Sequence, residues 1–129
     1  MTTSQPKIIP TAETPPATWD SLGLSPSALE LVGKAGFKTP TPIQVASIPL
    51  ALEGCDIIAS AQTGTGKTVC FVLPLIERLI GKEGTFGLIL SPTREIAQQT
   101  QAALEFFGTP RGVRSIVLIG GIDMKKDAI

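Results

Sequence analysis

The segment Ala61-Gln62-Thr63-Gly64-Thr65-Gly66-Lys67-Thr68 decides the fold. It matches the phosphate-loop pattern G-x-x-x-x-G-K-[ST] except at the first position, where alanine replaces glycine. The apolar run Asp56-Ile57-Ile58-Ala59-Ser60 precedes it and predicts a short buried strand. The residues from Lys67 to about Ile80 have apolar side chains at helical spacing and predict a helix. The loop is therefore expected between a strand and a helix, as phosphate binding requires.

The residue types in this loop suit a phosphate group. Gly64 and Gly66 can adopt positive φ, which lets the backbone wrap closely around an anion. Successive backbone N–H groups and the N-terminus of the next helix would then point at the phosphates. Lys67 would bring a point charge to the β and γ phosphates, and Thr68 would offer its hydroxyl to Mg²⁺. The loop predicts a nucleotide site but does not indicate the base.

The rest of the chain alternates between strand and helix patterns. Phe86-Gly87-Leu88-Ile89-Leu90 and Val113 to Ile119 predict two more strands, with a helix from Glu95 to Phe107 between them. A last helix is predicted from Asp123 to Ile129, and Pro74 predicts a kink in the helix after the loop. Strands alternating with helices of about a dozen residues are typical of βαβ units. The predicted fold class is α/β, a parallel sheet with helices on both faces.

The N-terminal part divides into a leader and two helices. Residues 1–18 hold four prolines among polar residues and predict a flexible leader. Ser25 as N-cap and Pro26 at the first helical position predict the start of a first helix. A second helix is predicted from Pro42 to Leu52, with Gly54 closing it.

Phe37 and Gln44, some twenty residues upstream of the loop, are candidates for reading the base. A glutamine amide donates and accepts at once, which matches the N6 amino group and N7 of adenine. An aromatic ring can cover the face of the base. Guanine carries O6 in place of the amino group and would present a mismatched acceptor. From the residues alone, ordinary packing or surface roles for Phe37 and Gln44 remain open.

Composition excludes several other classes. Hydrophobic residues make up 43% and charged residues 17%, which suits a folded domain. The absence of histidine excludes His-based acid–base chemistry, and Cys55 and Cys70 cannot build a disulfide framework or a zinc site alone. We expect two reduced, packed thiols in a cytoplasmic protein. No apolar run approaches the roughly 20 residues of a membrane helix, and zero net charge argues against a strong generic polyanion surface.

Four motifs, in this order, resemble the N-terminal part of DEAD-box RNA helicases. They are Gly36-Phe37-x-x-Pro40-Thr41-Pro42-Ile43-Gln44, the loop 61–68, Pro92-Thr93-Arg94-Glu95-Ile96-Ala97 and Gly120-Gly121. The resemblance covers residues 19 to about 125. It implies the first RecA-like domain of a two-domain, ATP-dependent helicase that locally unwinds RNA duplexes. The implied division is a leader at 1–18, a Q-motif region at 19–45 and the N-terminal part of the ATP-binding domain at 46–129.

The resemblance also implies roles for individual residues. Phe37 and Gln44 look like the adenine-reading pair, and Trp19 takes the place of an upstream aromatic that supports the adenine pocket. The residues that look like the triphosphate loop are Ala61, Gln62, Thr63, Gly64, Thr65, Gly66, Lys67 and Thr68, with Thr68 toward Mg²⁺. The residues that look like RNA-backbone contacts are Pro92, Thr93, Arg94, Gly120 and Gly121. These last two segments follow predicted parallel strands, so they are expected at the carboxyl edge of the sheet, where ligands bind. From the residues alone, a solvated Arg94 and a plain turn at Gly120-Gly121 remain open.

Motifs that complete catalysis in that family do not occur in this sequence. It contains neither Asp-Glu-Ala-Asp nor Ser-Ala-Thr. We therefore expect an incomplete first helicase domain that uses ATP and Mg²⁺, contacts RNA and no membrane, and holds no catalytic residue of its own. The alternative is a truncated, non-catalytic ATP-binding module. A kinase or GTPase would leave Phe37, Gln44 and Pro92-Thr93-Arg94 unexplained.

Overall fold

The computed structural model describes residues 17–62, 64 and 66–121 of the chain. Four α-helices form most of this part: α1 (Pro26–Lys34), α2 (Pro42–Glu53), α3 (Lys67–Leu79) and α4 (Arg94–Gly108). A short 3₁₀ helix, Trp19–Leu22, precedes α1, and a second one, Thr109–Arg111, follows α4. Four of the five predicted helices are therefore confirmed, and each begins within one residue of its predicted start. The two 3₁₀ helices were not predicted.

Side-chain caps explain why three of the helices begin where they do. The Ser25 hydroxyl accepts a hydrogen bond from the Ala28 N–H at the start of α1, as predicted. A capping box formed by Thr41 and Gln44 begins α2. The Thr93 hydroxyl accepts from the Ile96 N–H at the start of α4, 3.2 Å away. These local bonds satisfy backbone donors that would otherwise lack partners at a helix N-terminus.

The core lies between the helices. Helix α3 packs against both α2 and α4, and α1 contacts α4. The most deeply buried large side chains come from α1, α2 and α3: Ile48, Leu73, Ile76, Val32 and Val72. Pro74 lies within α3, which continues through it to Leu79. The helix that begins at the phosphate loop is therefore held along its length by neighbours on two sides.

The three predicted strands are extended segments, at 56–60, 86–90 and 113–119. None of them pairs as a strand within the described residues, so the parallel sheet is not confirmed. Exposure alternates from residue to residue along 113–119. Gly87 lies against Leu75 of α3, since a Cβ there would be 3.3 Å from that side chain, and Val113 is buried. The side chains that point the other way are exposed.

We call these exposed side chains the outward apolar face: Ile58, Phe86, Leu88, Leu90, Ile116 and Leu118. Ile58 is 100% exposed and Leu88 is 84% exposed. The predicted burial is therefore wrong for all of 56–60, for 86–90 except the half-buried Ile89, and for every second residue of 113–119. Helices on both faces of a sheet stay a prediction. The physical reason is that no element in the described part of the chain packs against this face. Strand hydrogen bonds likewise require a neighbouring strand.

Three further predictions concern smaller features. Cys70 is buried as expected, whereas Cys55 is exposed, so the predicted packing of that thiol is wrong; neither thiol is in a disulfide. Thr18 already belongs to the fold, because its carbonyl accepts from the Ser21 N–H. The leader as far as residue 16 and the predicted helix at 123–129 lie outside the described residues.

Among the helices that the structure describes, none is long and apolar enough to cross a membrane.

Candidate nucleotide site

The phosphate loop turns into α3 through two glycines in the left-handed region. Gly64 has φ +84° and Gly66, the N-cap of α3, has φ +79°. A Cβ on Gly64 would meet no atom within 4 Å, so only its backbone conformation calls for glycine. At Gly66 a Cβ would also lie 2.2 Å from the Gln44 side-chain nitrogen. Thr63 and Thr65 lie outside the described residues.

Lys67 is the first residue of α3, and its side chain folds back across the loop. Its ammonium group donates to the Ala61 carbonyl at 2.7 Å while the residue remains exposed. Gln62, next to Ala61, is exposed as well, and Thr68 is half-buried one residue further along α3. An arriving phosphate would therefore compete for an ammonium group that already donates to a loop carbonyl. Binding would replace a hydrogen bond to an uncharged acceptor with one to an anionic acceptor, in which both partners are charged.

Gln44 joins α2 to the phosphate loop. The residue is 3% exposed. Its Oε1 accepts from the Thr41 N–H at 2.8 Å, and its Nε2 donates to the Gly66 carbonyl at 3.2 Å. Each end of the amide keeps one more hydrogen-bonding position. The predicted pairing with adenine would use those remaining positions, and a base placed there would lie directly beside the loop.

Phe37 belongs to a row of aromatic rings. Its ring stacks on Trp19 at 6.2 Å and on Phe107 of α4 at 6.4 Å, and Phe106 meets Phe107 edge-on at 4.9 Å. Phe37 stays 39% exposed, whereas Trp19 and Phe107 are buried. The arrangement gives Phe37 a supported ring with an open part that can receive another flat ring. Sequence reasoning missed Phe107, which it placed only on the apolar face of a helix.

Cys70 contacts the same carbonyl as Gln44. Its thiol donates to the Gly66 carbonyl at 3.5 Å, one helical turn away. Burial raises the pKa of the Cys70 thiol, and a hydrogen bond with Ser47 opposes the shift. Both residues line a cavity of about 440 Å³ between α2 and α3 that extends to Lys67. The sequence offered no signal for this contact beyond the apolar surroundings of the cysteine.

The residues predicted to contact RNA come together at one end of α4. The Arg94 guanidinium lies beside Gly121, 3.4 Å from where a Cβ on that glycine would be, and 3.9 Å from the same position on Gly120. Arg94, both glycines, Pro92 and Thr93 are exposed. Thr93 is already engaged as the cap of α4. Two segments separated by more than twenty residues therefore form one exposed corner that carries the Arg94 guanidinium.

A loop that turns through two positive-φ glycines into a helix, with a lysine and a threonine directly after the second glycine, defines a phosphate-loop protein. The family model described as DEAD/DEAH box helicase matches residues 41–128, more than half of the chain. The chain belongs to the DEAD/DEAH box helicase family.

Relatives and solved structures agree with this assignment. The chain is 48% identical over 113 residues to the ATP-dependent rRNA helicase RRP3 of Ajellomyces capsulatus, covering 87% of this chain and 23% of that relative. It matches the crystal structure of the RNA helicase Prp28 from Chaetomium thermophilum bound to ADP with a TM-score of 0.80 and 38% identity, over 88% of this chain and 29% of that one. It matches Saccharomyces cerevisiae Dbp5 bound to RNA and ADP BeF3 with a TM-score of 0.67 and 34% identity, over 71% of this chain and 24% of that one. These neighbours support an α/β RecA-like fold. The chain spans about a quarter of the length of the RRP3 relative.

Proposed function

We propose that this chain supplies the adenine-nucleotide site and part of the RNA path of an ATP-dependent RNA helicase. The observation that carries the proposal is the hydrogen bond from the Gln44 amide to the Gly66 carbonyl. This bond places the residue suited to adenine against the loop suited to phosphate. A nucleotide that binds the loop would therefore meet Gln44 and the open part of Phe37 at its base end.

The loop fits a triphosphate on the features described above. Its two positive-φ glycines and the N-terminus of α3 present backbone N–H groups to an anion. Thr68 would hold Mg²⁺ through its hydroxyl. Mg²⁺ bound with a nucleotide commonly keeps several waters and takes phosphate oxygens as ligands. The described segments contain no cluster of three His, Cys, Asp or Glu side chains. When bound, the ion would neutralise charge on the phosphates.

The corner formed by Arg94, Gly120 and Gly121 supports the RNA part of the proposal. A guanidinium pairs with backbone phosphate, and glycines without side chains let a strand approach closely. Few phosphate contacts give little counterion release, so we expect the 129-residue chain alone to bind RNA too weakly to measure at physiological salt. The reduced thiols support a cytoplasmic location as part of the same proposal.

Calorimetric titration of the chain with ADP tests the nucleotide site. Lys67→Ala removes a charge-assisted contact and should weaken ADP binding roughly ten- to a hundredfold. Lys34→Ala is the matched control, because Lys34 forms only an exposed pair with Glu30. Equal affinity in Lys67→Ala and the unaltered chain would overturn the proposal.

A turnover assay separates the helicase fragment from a self-sufficient enzyme. We expect no ATP hydrolysis by the 129 residues alone, because neither Asp-Glu-Ala-Asp nor Ser-Ala-Thr occurs among them. Hydrolysis that Lys67→Ala abolishes would contradict this part of the proposal. A clear preference for GDP over ADP would instead contradict the adenine assignment of Gln44.

A further inference from the structure

A buried polar cluster joins three elements away from the phosphate loop. Ser25 caps α1, Glu77 lies near the end of α3, and Arg111 ends the second 3₁₀ helix. The Arg111 guanidinium donates to Glu77 Oε1 at 2.7 Å and to the Ser25 hydroxyl at 2.9 Å. The Ser25 hydroxyl donates to Glu77 Oε1 at 2.7 Å. The Arg111 side chain is 4% exposed and that of Glu77 is 17% exposed.

This cluster is poorly arranged for stability alone. Arg111 Nε and Nη1 are buried without a hydrogen-bond partner. Buried donors without partners are unfavourable, and apolar residues of similar size often replace a buried ion pair without loss of stability. What such a pair supplies well is a defined geometry between the elements that it joins. The question is therefore which two parts of the molecule the cluster holds in register.

The elements joined here lead directly to the two halves of the nucleotide site. Helix α1 runs nine residues from Ser25, and the Phe37 N–H donates to the Val32 carbonyl near its end. Helix α3 runs back from Glu77 to Lys67 and the phosphate loop. The second 3₁₀ helix follows α4, whose Phe107 stacks on Phe37. The cluster is roughly 13–15 Å from either half of the site, estimated along the helices.

We infer that Ser25, Glu77 and Arg111 form a positioning cluster that sets the spacing between the aromatic ring of Phe37 and the phosphate loop. They act through α1 and α3 and do not contact the nucleotide. The inference rests on the proposed adenine-nucleotide site. It predicts that the cluster matters for a ligand that spans both halves of the site. A ligand that occupies only the phosphate loop should be insensitive to it.

The test compares ADP with inorganic tripolyphosphate, which carries no base. Glu77→Gln keeps the size and the acceptor oxygen but removes the charge, and Arg111→Met removes the guanidinium. We expect ADP affinity to fall roughly three- to tenfold in both variants, as for networks that couple distant sites. Tripolyphosphate affinity should stay within about twofold of the unaltered chain. Glu30→Gln is the matched control, since it breaks only the exposed Glu30–Lys34 pair.

The outcomes separate this inference from the proposed function. Equal losses for ADP and tripolyphosphate, or no loss for either, would overturn the positioning role. If Arg111→Met does not fold, Glu77→Gln and Ser25→Ala carry the same comparison. Arg111→Lys adds a rescue test, because a retained charge without the planar fork should recover only part of the ADP affinity. An unaltered chain that binds neither ligand would defeat the proposed function itself.

Discussion

The helices of this molecule and its outward apolar face both carry the large apolar side chains that predict a core, but only those of the helices are buried. Helices α2 and α3 bury Ile48, Leu73 and Ile76 completely, whereas Leu88 and Leu90 of the extended segments are more than four-fifths exposed. A helix makes its own backbone hydrogen bonds and needs only one packed side. An extended segment depends on neighbours for its hydrogen bonds and for the burial of both faces. The candidate nucleotide site combines helix residues such as Gln44 and Lys67 with the loop that follows the extended segment 56–60.

The largest expected effect comes from testing burial on each side directly. Ile76→Ala should lower the free energy of unfolding by about 2–5 kcal/mol, because it leaves a cavity between α3 and α4. Leu88→Ala should change it by less than about 0.5 kcal/mol, since that side chain is 84% exposed. Urea unfolding at two protein concentrations measures both and shows whether self-association contributes. Similar losses in the two variants would mean that the outward apolar face is covered in solution.

A second comparison lies within the phosphate loop. Gly64→Ala and Gly66→Ala both force alanine into the left-handed region, at about 1–2 kcal/mol each. Only Gly66→Ala also drives a methyl group into the Gln44 amide. We therefore expect Gly66→Ala to lower both unfolding temperature and ADP affinity more than Gly64→Ala does. Equal effects would indicate that Gln44 moves aside and that its bond to the loop is dispensable.

The smallest effect concerns the two thiols. Cys55 is exposed and Cys70 is buried, so iodoacetamide should modify Cys55 first in the native chain and both residues in urea. Mass spectrometry of the digested protein identifies the sites. Rapid native modification of Cys70 would show that the cavity between α2 and α3 opens readily.

The raised pKa of Cys70 adds a dependence on pH. The native state holds the thiol proton more tightly than the unfolded chain, so stability should fall as pH rises through the ordinary thiol range. The fall should end once pH exceeds the native pKa. Cys70→Ala should flatten this part of the stability profile. A profile that Cys70→Ala does not alter would contradict the assignment.

Local features were predictable from the sequence, and non-local ones were not. Ser25, Pro26 and Pro42 mark helix starts because capping and proline chemistry act within a few residues. The phosphate loop was predictable for the same reason. The row from Trp19 to Phe107 was not, because it joins residues far apart in the chain.

The extended segments show that a local pattern does not predict the neighbours on which a strand depends. Alternation and apolar content at 86–90 indicate a strand but cannot say whether a partner strand is present. The residue type of Gln44 likewise suits adenine but does not reveal that its amide nitrogen donates to the Gly66 carbonyl, twenty-two positions away. The family motifs predict which residues belong to the site. The contacts among those residues come only from packing.

The aromatic row has a further consequence, in spectroscopy. Trp19 is the only tryptophan of the chain, and the chain has no tyrosine. Its indole is 6% exposed and stacks on the ring of Phe37 at an interplanar angle of 25°. Emission excited at long ultraviolet wavelengths therefore comes from a single fluorophore one ring away from the proposed base position. The protein carries its own optical reporter, and any ligand that shifts Phe37 registers in it without a label.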